Sequence, residues 1–235
     1  MREALASQPE VVFAAGGDGT LRAVAEALRG TGVAMGVIPG GTMNRLAERL
    51  GLPADPVEAV ARYRPGRVAA FDLATANDEV FLYQAIAGRT ARLLRFREMQ
   101  RDGTSWLPLI VAALRALFRP PARHLTLVAP GLRGLSGRRP RGHTAVVTTP
   151  ADGGTLEVDL VRHGSVLGRL MQAIRWVRQG LAEDPGVRHA RLSRVAVLVP
   201  GRGVRLSLDG EMRMAAPPLH FRLHSGALRV LSPIP

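Results

Sequence analysis

The sequence predicts an α/β domain built on a parallel sheet, followed by an antiparallel β-sandwich domain with helical insertions. Three observations predict it. Short apolar runs alternate with helical patterns over residues 1–66, the first two runs each end in a cluster of glycines, and strand-like stretches dominate from residue 67 onward. The Pro65-Gly66 pair marks the cut. It sets one domain at 1–66 and a second at 67–235, with the extreme C-terminus able to return to the first.

Residues 11–15 read as a buried strand, and Leu21, Val24, Ala25 and Leu28 recur at helical spacing before Gly30. The unit then repeats. Residues 33–38 form a second strand, 39–42 (PGGT) a turn, and Leu46, Ala47 and Leu50 a helix face closed by Gly51 and Pro53. A third helix is expected at 56–64. Beyond it, strands are expected at 68–74, 80–87, 124–129, 144–149, 155–162, 195–199, 204–208, 219–223 and 227–231. Helices are expected at 106–118 and 166–181, and a loop at 131–142.

Composition narrows the function classes. The 235 residues carry a formal net charge of +13 and no cysteine, so disulfides, thiolate metal sites and cysteine nucleophiles are excluded. All 32 basic residues are arginine. With no lysine there is no Walker A loop, and phosphate binding must use glycine amides, hydroxyls, helix dipoles and arginine. Only 4% of residues are aromatic and no nucleic-acid-binding motif accompanies the arginines, so a nucleic-acid partner is not expected. The six histidines lack zinc spacing and read as ordinary surface or strand residues. No signal peptide or membrane-spanning run is apparent, and a cytoplasmic protein is expected.

The chemistry concentrates in the two glycine turns. GGDGT (16–20) and PGGT (39–42) each join a strand to a helix N-terminus, where backbone amides and the helix dipole favour an anion. Either turn alone reads equally well as a tight connection with a capping threonine. Together, at the same end of neighbouring strands, they point to phosphate. Asp18 must then hold a Mg²⁺ ion, take a proton or orient a donor, because a bare carboxylate would repel that phosphate. Asp209-Gly210, between apolar runs, reads as a hairpin turn on its pattern alone.

GGDGT, then PGGTMNRLAERLGLP (39–53), PADGGTLEVDLV (150–161), LSLDGE (206–211) and PLHFRLHSGALRVLSP (218–233), in this order, resemble the diacylglycerol kinase catalytic domain shared by bacterial lipid kinases, diacylglycerol kinases and sphingosine kinases. NAD kinases share the GGDGT motif, but not the second turn and its helix. The resemblance implies an α/β nucleotide-binding domain and a β-sandwich lipid-substrate domain, with a cleft between them that takes MgATP and a lipid alcohol such as diacylglycerol. It implies that Gly16, Gly17, Gly19 and Thr20 contact ATP phosphates, and that Gly40, Gly41, Thr42 and Asn44 complete the pocket. Asp209 would be the general base, with Glu211 beside it; Asp18 competes for the role of base; Asp152 would hold a structural Mg²⁺.

Three positions depart from the family pattern: Arg22 and Ala23 replace an Asn-Glu pair, and Arg45 replaces an aspartate. Gln84 stands where an amide residue is common. Family members also begin with a strand ending in an Asn-Pro-x-x-Gly-like turn, whereas about ten residues precede the first strand here. The first domain is therefore expected to be partial, with a non-catalytic lipid- or phosphate-binding relic, or an NAD kinase-like enzyme, as alternatives to the lipid kinase. Residues 105–118 are too short to span a bilayer. They read as a core helix, a cover for lipid tails, or an interfacial helix flanked by Arg119 and Arg123. The arginine excess suits reversible attachment to anionic phospholipid.

Overall fold

The first apolar run forms β1 (Val11–Gly16), which pairs in parallel with β2 (Ala34–Pro39) from Val11↔Ala34 to Gly16↔Pro39. Between them lies α1 (Asp18–Leu28), so strand, glycine turn, helix and parallel strand follow in the expected order. The computed structural model describes residues 5–63, 67–88, 124–130, 139–150, 153–162 and 187–233. These residues divide into two compact units. The first holds Met1–Tyr83, Thr149–Leu156 and Arg222–Pro235, and the second holds Gln84–Thr148 and Glu157–Phe221.

In the first unit, α1 buries Leu21, Ala25 and Leu28 at helical spacing, and Gly30 in the left-handed region follows its end. Each buried leucine contributes about 1.5–3 kcal/mol relative to exposure. α2 (Arg45–Arg49) buries Leu46 and Ala47. α3 (Pro56–Ala61) starts where proline can sit without losing a hydrogen bond, and the Asp55 carboxylate caps it by accepting from Val57 N and Glu58 N at 2.9 Å. β3 (Val68–Ala76) pairs with β4 (Glu79–Phe81) in antiparallel register. The long last strand, numbered in place as β14 (Leu219–Leu231), belongs to this unit from Arg222 on and runs parallel beside β2. The core gathers Met35, Val37, Leu73, Leu82, Leu228 and Val230 around those helix residues.

β1 differs from its expected burial. Ala14 is buried against the core, but Phe13 is 51% exposed. A strand's side chains alternate between its two faces, and β1 lies at the end of its sheet, so only the face turned to the core is sealed. Phe13 lies across Gly36, where a Cβ would collide with its ring, and meets Tyr63 edge to face at 5.7 Å. The Tyr63 hydroxyl donates to Val37 O at 2.8 Å and accepts from Val37 N at 2.9 Å, and burial raises its pKa.

The second unit is antiparallel. A six-stranded sheet runs β10 (Val187–Leu192), β9 (Leu156–Val161), β8 (Thr144–Thr148), β5 (Gln84–Gly88), β12 (Val204–Leu208), β13 (Glu211–Ala215). A ribbon of β11 (Arg194–Leu198), β6 (Leu125–Val128) and β7 (Arg141–Gly142) accompanies it. The strand expected at 80–87 is two strands, broken at Leu82-Tyr83, and the units part there rather than at residue 66. The strands expected at 219–223 and 227–231 are one, because Gly226 takes its left-handed conformation without ending the ladder. The helices expected at 106–118 and 166–181 and most of the loop at 131–142 lie outside the described residues. No helix of the described residues is long and apolar enough to cross a membrane.

One histidine sets a pH dependence. In the first unit, both His224 ring nitrogens lie 3.3 Å from an Arg29 guanidinium nitrogen, and Nε2 lies 3.1 Å from Thr75 Oγ1. Burial, then the charges of Arg29 and Arg222, lower its pKa, with Asp78 opposing. A lowered folded-state pKa means that the unfolded chain takes the proton first. Its contribution to stability is therefore present above about pH 6.5 and is lost as pH falls toward the folded value. His224→Gln is expected to flatten the fall in melting temperature between neutral and mildly acid pH; an unchanged slope would remove His224 from this role.

Candidate nucleotide and phosphoryl-transfer site

The two glycine turns of the first unit lie against one another, backbone to backbone. Gly40 N donates to Gly16 O at 3.1 Å. A Cβ on Gly41 would stand 2.5 Å from Gly17 Cα, and one on Gly40 would stand 3.1 Å from Gly16 Cα. The glycines are therefore required first for the turns to touch, since any larger residue would drive them apart. Asn44, at φ 45 and ψ 40, closes the second turn by accepting from Gly41 N at 2.8 Å. Asparagine tolerates that left-handed conformation better than most residues.

Asp18 joins the two turns. It opens α1, and its two carboxylate oxygens accept from Arg45 N and Leu46 N at 3.2 Å each, the first amides of α2. Of the roles open to this carboxylate, the geometry supplies one: it holds the second motif's helix onto the first motif. Asp18→Ala would leave both amides without that acceptor. It is expected to cost about 1–2 kcal/mol in chemical denaturation, with Asp18→Asn costing less because one acceptor oxygen stays. Equal stability of the alanine variant and the parent would contradict the bridge.

With those amides engaged, the anion-accepting end that remains is the start of α1. Gly17 occupies its N-cap and has no side chain to offer, so no side-chain cap closes the first turn. Gly16, Gly17 and Gly19 are half-buried, while Thr20, Gly40 and Thr42 are exposed. Beside the second turn, a cavity of about 530 Å³ is lined by Thr42, Asn44, Leu52 and Arg62 among others.

Two residues that the sequence did not single out organise this unit. Arg49, on α2, donates to Leu82 O at 2.9 Å, Thr149 Oγ1 at 2.6 Å and Pro150 O, and it lies over the Phe71 ring. Asp72, on β3, accepts from Gly154 N at 2.9 Å and Gly226 N at 2.8 Å. Together they hold Thr149 and Pro150 on one side of residues 151–152 and Gly154 on the other. Asp152, the expected Mg²⁺ ligand, lies outside the described residues. Arg45, at the departure from the family pattern, places its side chain 3.7 Å from Glu48.

In the second unit, Asp209 and Gly210 have φ of 48 and 90, and Leu208 pairs with Glu211 across them, which makes a two-residue hairpin of the primed type. The hairpin reading of this dipeptide holds. The same turn also buries the carboxylate: Asp209 is 6% exposed, its Oδ1 accepts from Gln84 N at 3.0 Å, and its own N–H donates to Gln84 O at 2.8 Å. Gln84 opens β5 and positions Asp209 through its backbone. Glu211 is exposed, with its carboxylate 3.2 Å from Arg213. Among the described residues, no group of three or more histidines or carboxylates is placed to hold a metal.

Comparison with known proteins agrees with these motifs. Residues 1–76 match the model of the diacylglycerol kinase catalytic domain. A protein of Pseudomonas syringae pv. tomato, named as a probable lipid kinase YegS-like, is 30% identical over 250 residues, covering 99% of this chain and 79% of that protein. Its counterpart in Pseudomonas fluorescens is 30% identical over 248 residues, covering 99% of this chain and 81% of that one. A diacylglycerol kinase from Bacillus anthracis str. Sterne shares the fold, with a TM-score of 0.69 at 17% identity over 98% of this chain and 79% of that chain. The chain belongs to the diacylglycerol kinase catalytic domain family, among the YegS-like lipid kinases.

Proposed function

We propose that the protein is an ATP-dependent lipid kinase that transfers the γ-phosphate of MgATP to the hydroxyl of diacylglycerol or a related lipid alcohol. The observation that carries this reading is the mutual locking of the two glycine turns by Asp18, Gly16 and Gly41, beside a first turn of α1 that Gly17 leaves without a side-chain cap. Backbone amides and a helix dipole there suit the phosphates of a nucleotide. Gly16, Gly17, Gly19 and Thr20 hold those phosphates, and Gly40, Gly41, Thr42 and Asn44 shape the neighbouring wall.

Proton acceptance from the lipid hydroxyl falls to Asp209. Asp18 already holds two backbone amides and acts as a positioning residue. Among the described residues no group of three or more histidines or carboxylates is placed to hold a metal, so Mg²⁺ would arrive with the nucleotide, bound chiefly by its phosphates and by water. When bound, the metal neutralises charge on the transferred phosphoryl group. Glu211, further along the hairpin from Asp209, is exposed and paired with Arg213, and a membrane surface is where the lipid substrate meets the chain.

The test is transfer of labelled γ-phosphate from MgATP to a mixed lipid extract, with NAD offered in parallel. A labelled lipid supports the reading. Label on NAD alone, or no transfer by a folded protein that still binds lipid, would replace it with one of the alternatives.

A further inference from the structure

We propose that the hairpin of β12 and β13 is the edge by which this protein lies on an anionic lipid surface. β13 ends the six-stranded sheet, and four of its five residues are exposed. Met212 and Met214, 36% and 69% exposed, alternate along it and so project from one face. Across the strands on that face, exposed Arg205 is the partner of Met214 and buried Ser207 the partner of Met212, so the open part of the face lies toward Met214 and Arg205. Glu211 and Arg213 alternate onto the other face and pair with each other. Arg205, on β12, and Arg202, in the bend just before it, are exposed, and neither makes an ion pair among the described residues.

Two exposed thioethers beside two unpaired guanidinium groups match the two terms of interfacial binding: apolar side chains entering the acyl boundary, and cations attracted to anionic headgroups. Methionine's flexible, polarisable side chain adapts to such a surface. The net charge of +13 has the sign required. The placement also has a consequence for chemistry. Asp209 is the turn of this same hairpin, so at most about 17 Å of extended chain separates it from Met214. A lipid hydroxyl at headgroup level would then lie near the depth of that carboxylate. The choice of a lipid surface over another apolar partner rests on the lipid-substrate reading above.

The experiment is co-sedimentation of the full chain with vesicles of phosphatidylglycerol and phosphatidylcholine, and with phosphatidylcholine alone, without ATP or diacylglycerol. The parent should bind the anionic vesicles and be released by salt. Met212→Asp/Met214→Asp should bind about tenfold more weakly or worse, and Arg202→Gln/Arg205→Gln should lose much of the salt dependence. Circular dichroism melts establish that the variants fold, and phosphorylation of a short-chain, water-soluble diacylglycerol should be unchanged in the methionine variant. Vesicle binding equal to the parent would overturn the proposal. So would a parent that is a dimer in solution and a methionine variant that is monomeric, because the edge would then belong to a second copy. Absence of kinase activity in every form, with vesicle binding still lost in the methionine variant, would reject the kinase and leave this surface standing.

Discussion

Asp209→Asn is expected to lower phosphoryl transfer by about 10²–10⁴-fold while leaving the fold intact. Asparagine keeps the Oδ1 acceptor for Gln84 N and tolerates the φ of 48 at this position, so the hairpin should close as before. What it loses is the ability to take a proton from the attacking hydroxyl. Alanine would confuse the two effects, because it removes the acceptor and leaves an unfavourable left-handed residue. The measurement is the initial rate of lipid phosphorylation at saturating MgATP, beside a melting curve. A near-normal rate in a stable asparagine variant would move the base elsewhere.

Gly41→Ala is expected to damage the first unit more than any other single methyl group in the two motifs. The new Cβ would meet Gly17 Cα at 2.5 Å, Asn44 Oδ1 at 3.3 Å and Gly17 N at 3.4 Å. Two of these are backbone atoms, and Asn44 Oδ1 is held by Gly41 N, so no flexible side chain can give way. The turns must separate, at a cost of about 1–3 kcal/mol typical of overpacking. Nucleotide affinity should fall about tenfold or more, because a separation approaching 1 Å exceeds what a preorganised phosphate site tolerates. Gly51 supplies the comparison. Its φ is 72 but nothing lies within 4 Å of a Cβ there, so Gly51→Ala should cost only about 1–2 kcal/mol of strain and leave nucleotide binding alone. Denaturation and calorimetric titration with MgATP separate the cases; equal behaviour of the two variants would contradict the locked turns.

The features that were legible in the sequence are those specified locally. An apolar run, glycines and a 3.6-period face follow one another within β1, its turn and α1, and the same grammar gives β2 and α2. Asp209-Gly210 announced its turn by the same kind of signal. What escaped depends on partners far along the chain. Asp18 holds amides 27 and 28 residues away, and Asp72 reaches residues 82 and 154 positions on. A carboxylate that caps a distant turn looks in sequence like any polar residue on a strand or helix. Arg49 sat among the apolar positions of a helix face with nothing to mark its three acceptors. β13 was missed because an edge strand exposed on both faces, Glu-Met-Arg-Met-Ala, has no burial pattern to read. The break at Leu82-Tyr83 carries no glycine or proline, so β4 and β5 read as one strand.

The proposed function is transfer of a phosphoryl group from ATP to a lipid hydroxyl. The most direct measurement is a mass-spectrometric balance of ADP formed against phosphorylated lipid formed, with purified protein, MgATP and diacylglycerol-containing vesicles. Equal amounts of the two products are expected, with one phosphate on the free hydroxyl of each product lipid. Formation of ADP with no lipid product, or no consumption of ATP by the folded protein across diacylglycerol and related lipid alcohols, would contradict it.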